Sequence, residues 1–125
     1  MDQDNVDVVL AIADAVGRRD LDALMPLLDQ DIEHRDARRS TTQRGRAAIR
    51  RYFEELWKES PEASFSVDEI LAGGDWVVVR QRWRGLPDGE LTTWVAREFR
   101  DGIVRRIEVH GSRDDAVQAA GLSDP

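Results

Sequence analysis

Residues 46–59, RAAIRRYFEELWKE, and the strand-like runs that follow them decide the fold. Ile49, Tyr52, Phe53, Leu56 and Trp57 stand at i, i+3, i+4, i+7 and i+8, an apolar stripe along one side of a helix. Arg50, Arg51, Glu54, Glu55 and Lys58 take the opposite side, so the stripe is expected to be buried against a sheet and the charges left in water. Ser60-Pro61 stops the helix, because proline disfavours helical backbone in the residue before it. Residues 64–72, 76–84, 90–100 and 103–110 then read as strands. They are joined by a Gly73-Gly74-Asp75 turn, a longer loop from Gly85 to Gly89, and a tight Asp101-Gly102 turn.

Upstream, Val6, Val9, Leu10, Ala13 and Val16 place a first helix over roughly residues 4–18. Asp20 caps a short second helix carrying Leu21, Leu24, Leu27 and Leu28, which Pro26 keeps short. Residues 31–36 read as a strand, and a polar loop runs from there to Gly45. Ser112 with Asp115 starts a last helix that ends at Gly121. Helices ahead of an antiparallel meander bury themselves by lying across one face of a curled sheet. The expected class is α+β: a curved antiparallel sheet wrapped around the long amphipathic helix, a cone with a pocket at its open end.

One domain is expected over residues 1–125. No apolar run approaches the length of a membrane span, and the acidic Met1-Asp2-Gln3-Asp4 start is unlike a signal peptide. With no cysteine there is neither disulfide nor thiol nucleophile, and a cytoplasmic location is expected. A net charge of −7 argues against nucleic acid as a partner. Arg35, Arg38, Arg39, Arg44, Arg46, Arg50 and Arg51 crowd one segment. They are read as a solvated face or as an anion site with Arg46 at a helix start. His34 and His110 lack the spacing of a metal site, so neither a metal nor a cofactor is expected.

Alternation assigns faces. Ile32, His34 and Asp36 share one side of their strand; Val77, Val79, Gln81 and Trp83 share another, as do Thr93, Val95, Arg97 and Phe99. Taken as inward, these sets put His34, Asp36, Gln81, Trp83, Thr93 and Arg97 in the pocket, with Tyr52 and Trp57 from the long helix. Trp57 and Trp83 are more often core than ligand platform, and His34 fits a hydrogen-bonded wall. Asp36 either pairs with Arg97 or caps the loop after it. Trp76 and Trp94 fall on the outer face, which predicts a homodimer through that face.

Five strings carry a family resemblance: Arg19-Asp20-Leu21-Asp22-Ala23-Leu24, Asp31-Ile32-Glu33, Gly45-Arg46-Ala47-Ala48-Ile49-Arg50, Phe99-Arg100-Asp101-Gly102, and Ala116 through Ala119-Ala120-Gly121-Leu122. With the order of elements, they make the chain resemble the NTF2-like superfamily, in its SnoaL-like branch. The resemblance implies the NTF2-like cone and a pocket for a small hydrophobic or anionic ligand. The superfamily holds ketosteroid isomerases, limonene-epoxide hydrolases, polyketide cyclases, dehydratases and many non-enzymes, so it leaves the reaction open. Asp36 lies nine residues before Gly45, the spacing of the proton-shuttling carboxylate of ketosteroid isomerases. That resemblance makes Asp36 the candidate general base and His34 a second acid/base. The isomerase's tyrosine position holds Ile12, and its second aspartate position holds Arg97. The epoxide hydrolases' Arg-x-Asp falls on Arg80-Gln81-Arg82. The function expected is binding of a small hydrophobic molecule with a carbonyl, enol or acid group. The alternative is acid–base catalysis of isomerase, cyclase or hydrolase type through Asp36.

Overall fold

The computed structural model describes residues 2–122; residue 1 and residues 123–125, which the single-domain expectation includes, lie outside the described residues. The order is α1 (Asp2–Gly17), α2 (Leu21–Leu24) running into a 3-10 turn (Met25–Leu27), β1 (Leu28–Asp36), β2 (Thr41–Arg44), α3 (Arg46–Glu59), β3 (Ser64–Gly73), β4 (Trp76–Leu86), β5 (Gly89–Arg100), β6 (Ile103–His110) and α4 (Arg113–Ala119). The local signals explain the ends. The Asp20 carboxylate accepts from the Ala23 N–H at 3.0 Å, and Pro26 sits where the second helix tightens into the 3-10 turn. The Ser112 hydroxyl accepts from the Asp115 N–H at 3.2 Å and opens α4. Asp101 and Gly102 both take positive φ, 53° and 78°, the geometry of a two-residue hairpin turn between β5 and β6.

The six strands form one sheet in the order β2-β1-β6-β5-β4-β3. Every pairing is antiparallel except β1 with β6, which run parallel. Two features of β1 and β2 escape alternation. β2 lies inside the segment expected to be a polar loop; all four of its residues are exposed, so an edge strand with no buried face leaves no period-2 trace. β1 begins at Leu28, because a register shift between Leu28 and Glu33 breaks the alternation that marks its later half.

The main core lies between α1, α2 and the inner face of the sheet. Val9, Ile12 and Val16 of α1 and Leu21 and Leu24 of α2 meet Val77, Val79, Val95 and Val104. On the other face α4 lays Ala116 and Ala120 over Val78 and Ala96, with Trp76 and Trp94 packed at the edge of that cluster. Both faces of β4 are therefore covered at its centre, and Val77, Val78 and Val79 are all buried. The outer aromatic patch that sequence reading left open to water is partly roofed by this helix.

α3 departs from expectation in an informative way. Ile49 is 2% exposed and Tyr52 is 38% exposed. Phe53, Leu56 and Trp57 are only half-buried. The stripe faces the sheet, but it stands off beyond its first turn, and the gap is a cavity.

Candidate functional site

The cavity encloses about 730 Å³ between α3, α1 and the inner faces of β1, β4, β5 and β6. Its mouth is framed by the turn after β1, which carries Arg38 and Arg39, and by the β4–β5 hairpin around Leu86–Gly89. These two turns lie at one end because β1 runs parallel to β6 and β5 runs opposite to β6. Most of the wall is apolar or aromatic. Tyr52 stands 5.2 Å from Phe53, and Phe65 stacks at 5.1 Å on Trp83, by ring centroids.

Of the polar lining residues, His34 and Asp36 come from β1, Gln81 from β4 and Thr93 and Arg97 from β5. Arg97 of β5 pairs in register with Ile107 of β6, and Ile107 with His34 of β1, so Arg97 and His34 stand in one cross-strand row. His34, Asp36, Gln81, Trp83, Thr93, Arg97 and Tyr52 all line the cavity. Trp57 does not. It lines a separate hollow of about 100 Å³ with Phe65 and Trp83. There the Arg19 guanidinium lies 5.3 Å from the Trp57 ring centroid. Trp57 sits one helical position round from the wall formed by Tyr52, Phe53 and Leu56, and that rotation turns it away from the main cavity.

Arg97 is 6% exposed. Its Nη2 donates to the Gln81 Oε1 at 3.4 Å, while Nε and Nη1 have no hydrogen-bond partner. No carboxylate among the described residues forms an ion pair with it. Desolvation pulls its pKa down to about 10, so it remains a cation at neutral pH. The Asp36–Arg97 pair suggested by the shared face is not formed. Asp36 instead binds Arg38, two residues on: Arg38 Nη2 donates to Oδ2 at 2.8 Å and Arg38 Nε to Oδ1 at 3.1 Å. The Arg38 backbone N–H also donates to Oδ1, at 3.0 Å. This is an Asx-type turn closed by its own guanidinium, the loop-capping role open to Asp36 in the sequence. A partner two residues away wins because the turn brings it there without ordering any further chain.

Burial pushes the Asp36 carboxyl up, but the hydrogen bonds and charge of Arg38, with the charge of Arg39, outweigh it and hold the group below its ordinary value. His34 goes the other way from a charged histidine. Burial lowers its pKa, the Asp36 charge partly restores it, and the Arg97 charge lowers it again, leaving a neutral imidazole at neutral pH. Its ring centroid lies 5.7 Å from that of Tyr52.

Sequence reading did not single out Arg38 and Arg39 for the cavity, nor Gln43, Glu55, Glu59, Asp88 and Glu90; for Arg38 the Asp36-Ala37-Arg38 turn was the available signal. Three of the other crowded arginines have structural partners. Arg46 donates to the Leu28 carbonyl at 2.8 Å, Arg50 pairs with Asp22 at 2.6 Å, and Arg44 with Glu33 at 3.0 Å. These three are paired within the chain, and Arg46 is not free for an anion. Among the described residues no group of three or more His, Asp or Glu is placed to hold a metal ion. No helix among them is long and apolar enough to cross a membrane. Chemically, the site offers a buried guanidinium without a counter-ion and a neutral imidazole beside apolar walls, with Asp36 ion-paired to Arg38 and with Arg39, Glu55, Glu59, Asp88 and Glu90 also on the lining.

The structure is similar to an inferred ketosteroid isomerase from Kribbella flavida DSM 17836, at 21% identity and a TM-score of 0.80, over 99% of this chain and 83% of that one. It is similar to an inferred polyketide cyclase from Sinorhizobium meliloti, at 26% identity and a TM-score of 0.75, over 83% and 94%. It is also similar to TerC co-crystallised with polyporic acid, at 19% identity and a TM-score of 0.74, over 94% and 98%. Among curated proteins none matches this sequence. The SnoaL-like domain model matches residues 9–112, most of the chain and every strand of the cone, and the protein belongs to the SnoaL-like family.

Proposed function

We propose that this protein binds, in the cone's cavity, a small hydrophobic molecule bearing a carbonyl, enol or acid group, with Arg97 as its anchor. The observation that carries this reading is the buried guanidinium whose Nε and Nη1 lack partners. An uncompensated charge in such a place is costly, and a ligand oxygen would offset that cost. Gln81, Thr93, Tyr52 and Trp83 would fit the remainder of the ligand, polar groups set in an apolar wall as small-molecule sites usually are. The co-crystallisation of TerC with an acid adds support by fold analogy. The whole chain is taken to act as one domain, in the cytoplasm, without metal or cofactor.

The test is a thermal-shift series with 2-naphthol, 2-acetonaphthone and 2-naphthoate. At least one should raise the melting temperature of the wild type and leave Arg97→Met unmoved. If none binds, or if binding ignores Arg97→Met, the reading is wrong.

A second reading is acid–base catalysis, favoured by the neutral imidazole of His34 beside Asp36. Asp36→Asn would then abolish turnover and spare affinity. As a binder's residue Asp36 would show only a modest loss of affinity on the same change. We also propose a homodimer through the part of the outer face that α4 leaves uncovered, where Arg80 lies 5.9 Å from the Trp94 ring centroid. Light scattering at micromolar concentration should give twice the 14.2 kDa of one chain, and a monomer mass would overturn it.

A further inference from the structure

Arg97 and His34 face the same chamber from the same row, two strands apart, so their Cα atoms are about 10 Å from one another. Ile107 lies between them and offers neither donor nor acceptor. Both side chains line the chamber from that row, so a ligand lying along it can meet both. On Arg97 one N–H at Nε and two at Nη1 are unmet. A single carbonyl oxygen satisfies at most two of them, whereas a carboxylate has two oxygens and about four lone-pair sites. Asp36 cannot serve from within the chain, because Arg38 holds both of its oxygens.

We propose that the cavity takes a carboxylate whose two oxygens are divided between Arg97 and His34, and that His34 takes up one proton as the carboxylate binds. This rests on the reading of Arg97 as the ligand's anchor, and it names the ligand class and a second binding residue. The charged and titratable groups around His34 are Asp36 on its own strand, Arg38 and Arg39 in the turn, Tyr52 on α3 and Arg97 on β5. From β6 it meets Ile107, and from β2 Gln43, neither of which titrates. Asp36, though ion-paired with Arg38, still favours the His34 imidazolium, and the Arg97 charge, which has no ion-pair partner, opposes it. A bound carboxylate cancels that charge and adds a negative neighbour of its own. Both changes favour the imidazolium, which can then donate to the second oxygen.

The experiment is calorimetry with 2-naphthoate, ionised throughout, at pH 6 to 8 in phosphate and in Tris, whose ionisation enthalpies differ. The expected result is a buffer-dependent heat that reports uptake of up to one proton, and a Kd that tightens by up to about tenfold per pH unit lowered. His34→Gln keeps a hydrogen-bonding side chain but cannot titrate. It should bind 2-naphthoate more weakly, with no proton uptake and no slope against pH. Buffer-independent binding by the wild type overturns the proposal, and so does an uptake that survives His34→Gln. Binding of 2-naphthol without binding of 2-naphthoate overturns it too, while leaving the anchor reading intact. Failure of every probe to bind the wild type overturns both.

Discussion

Replacing Arg97 with methionine should make the empty protein more stable while ending its binding. The guanidinium is buried, shares one long hydrogen bond with Gln81, and has no counter-ion. Its pKa falls from the ordinary guanidinium value to about 10 through desolvation alone. At about 1.4 kcal/mol per tenfold change in acidity, that fall is a penalty on the order of 3 kcal/mol on the charged form. Methionine keeps most of the aliphatic stem and removes the charge; some packing is lost, so the net gain should be about 1–3 kcal/mol. For a chain of this size that is a rise in melting temperature of roughly 4–12 °C. Urea unfolding and thermal melts of both proteins without ligand measure it. Added ligand should raise only the wild type, narrowing the gap as its concentration passes Kd. The reasoning fails if Arg97→Met destabilises the ligand-free protein by more than ~1 kcal/mol, since the guanidinium would then be holding the fold rather than waiting for a partner.

The α3 stand-off predicts a graded stripe: Ile49→Ala should cost about 2–5 kcal/mol in urea melts. Phe53→Ala should cost only ~1–2, because half of the ring's burial is lost and the space joins an existing cavity. A loss at Phe53 as large as that for a fully buried aromatic would mean that the helix packs down on the sheet. The Asp36 carboxyl titrates below its ordinary 3.8, so the unfolded chain takes up this proton first as pH falls. Its contribution to stability is therefore present above that value and lost as pH drops through the lower folded-state value. Arg38→Met should remove this contribution, and acid titration should show the gap between variant and wild type closing as pH falls below 3.8. Gly85 has φ +76°, and a Cβ there would meet the Glu62 carbonyl, so Gly85→Ala should cost roughly 2–4 kcal/mol. An unchanged melt would place the β4–β5 hairpin farther from the segment after α3.

Local signals were legible where one residue type dictates one geometry. The Asp20 and Ser112 caps, the Asp101-Gly102 turn and the α3 stripe all read directly, since each depends on the backbone within a few residues. Face parity read as well: Gln81, Trp83, Thr93 and Arg97 line the cavity because alternation is a property of a single strand. β2 was illegible because Thr41-Thr42-Gln43-Arg44 buries nothing.

What the sequence by itself determined was the set of elements and which side of each strand is apolar. The tertiary structure decided what those sides meet. It set β1 parallel beside β6, bringing His34 into the row of Arg97, and it put α4 over the outer tryptophans. It also held α3 away from the sheet, so that an apolar stripe became a cavity wall rather than a core. The partner of Asp36 was decided the same way. Several arginines compete for each carboxylate in this chain, and periodicity ranks none of them. The choice of Arg38 follows from a turn that closes on itself and from a curvature that leaves Arg97 without a carboxylate of its own.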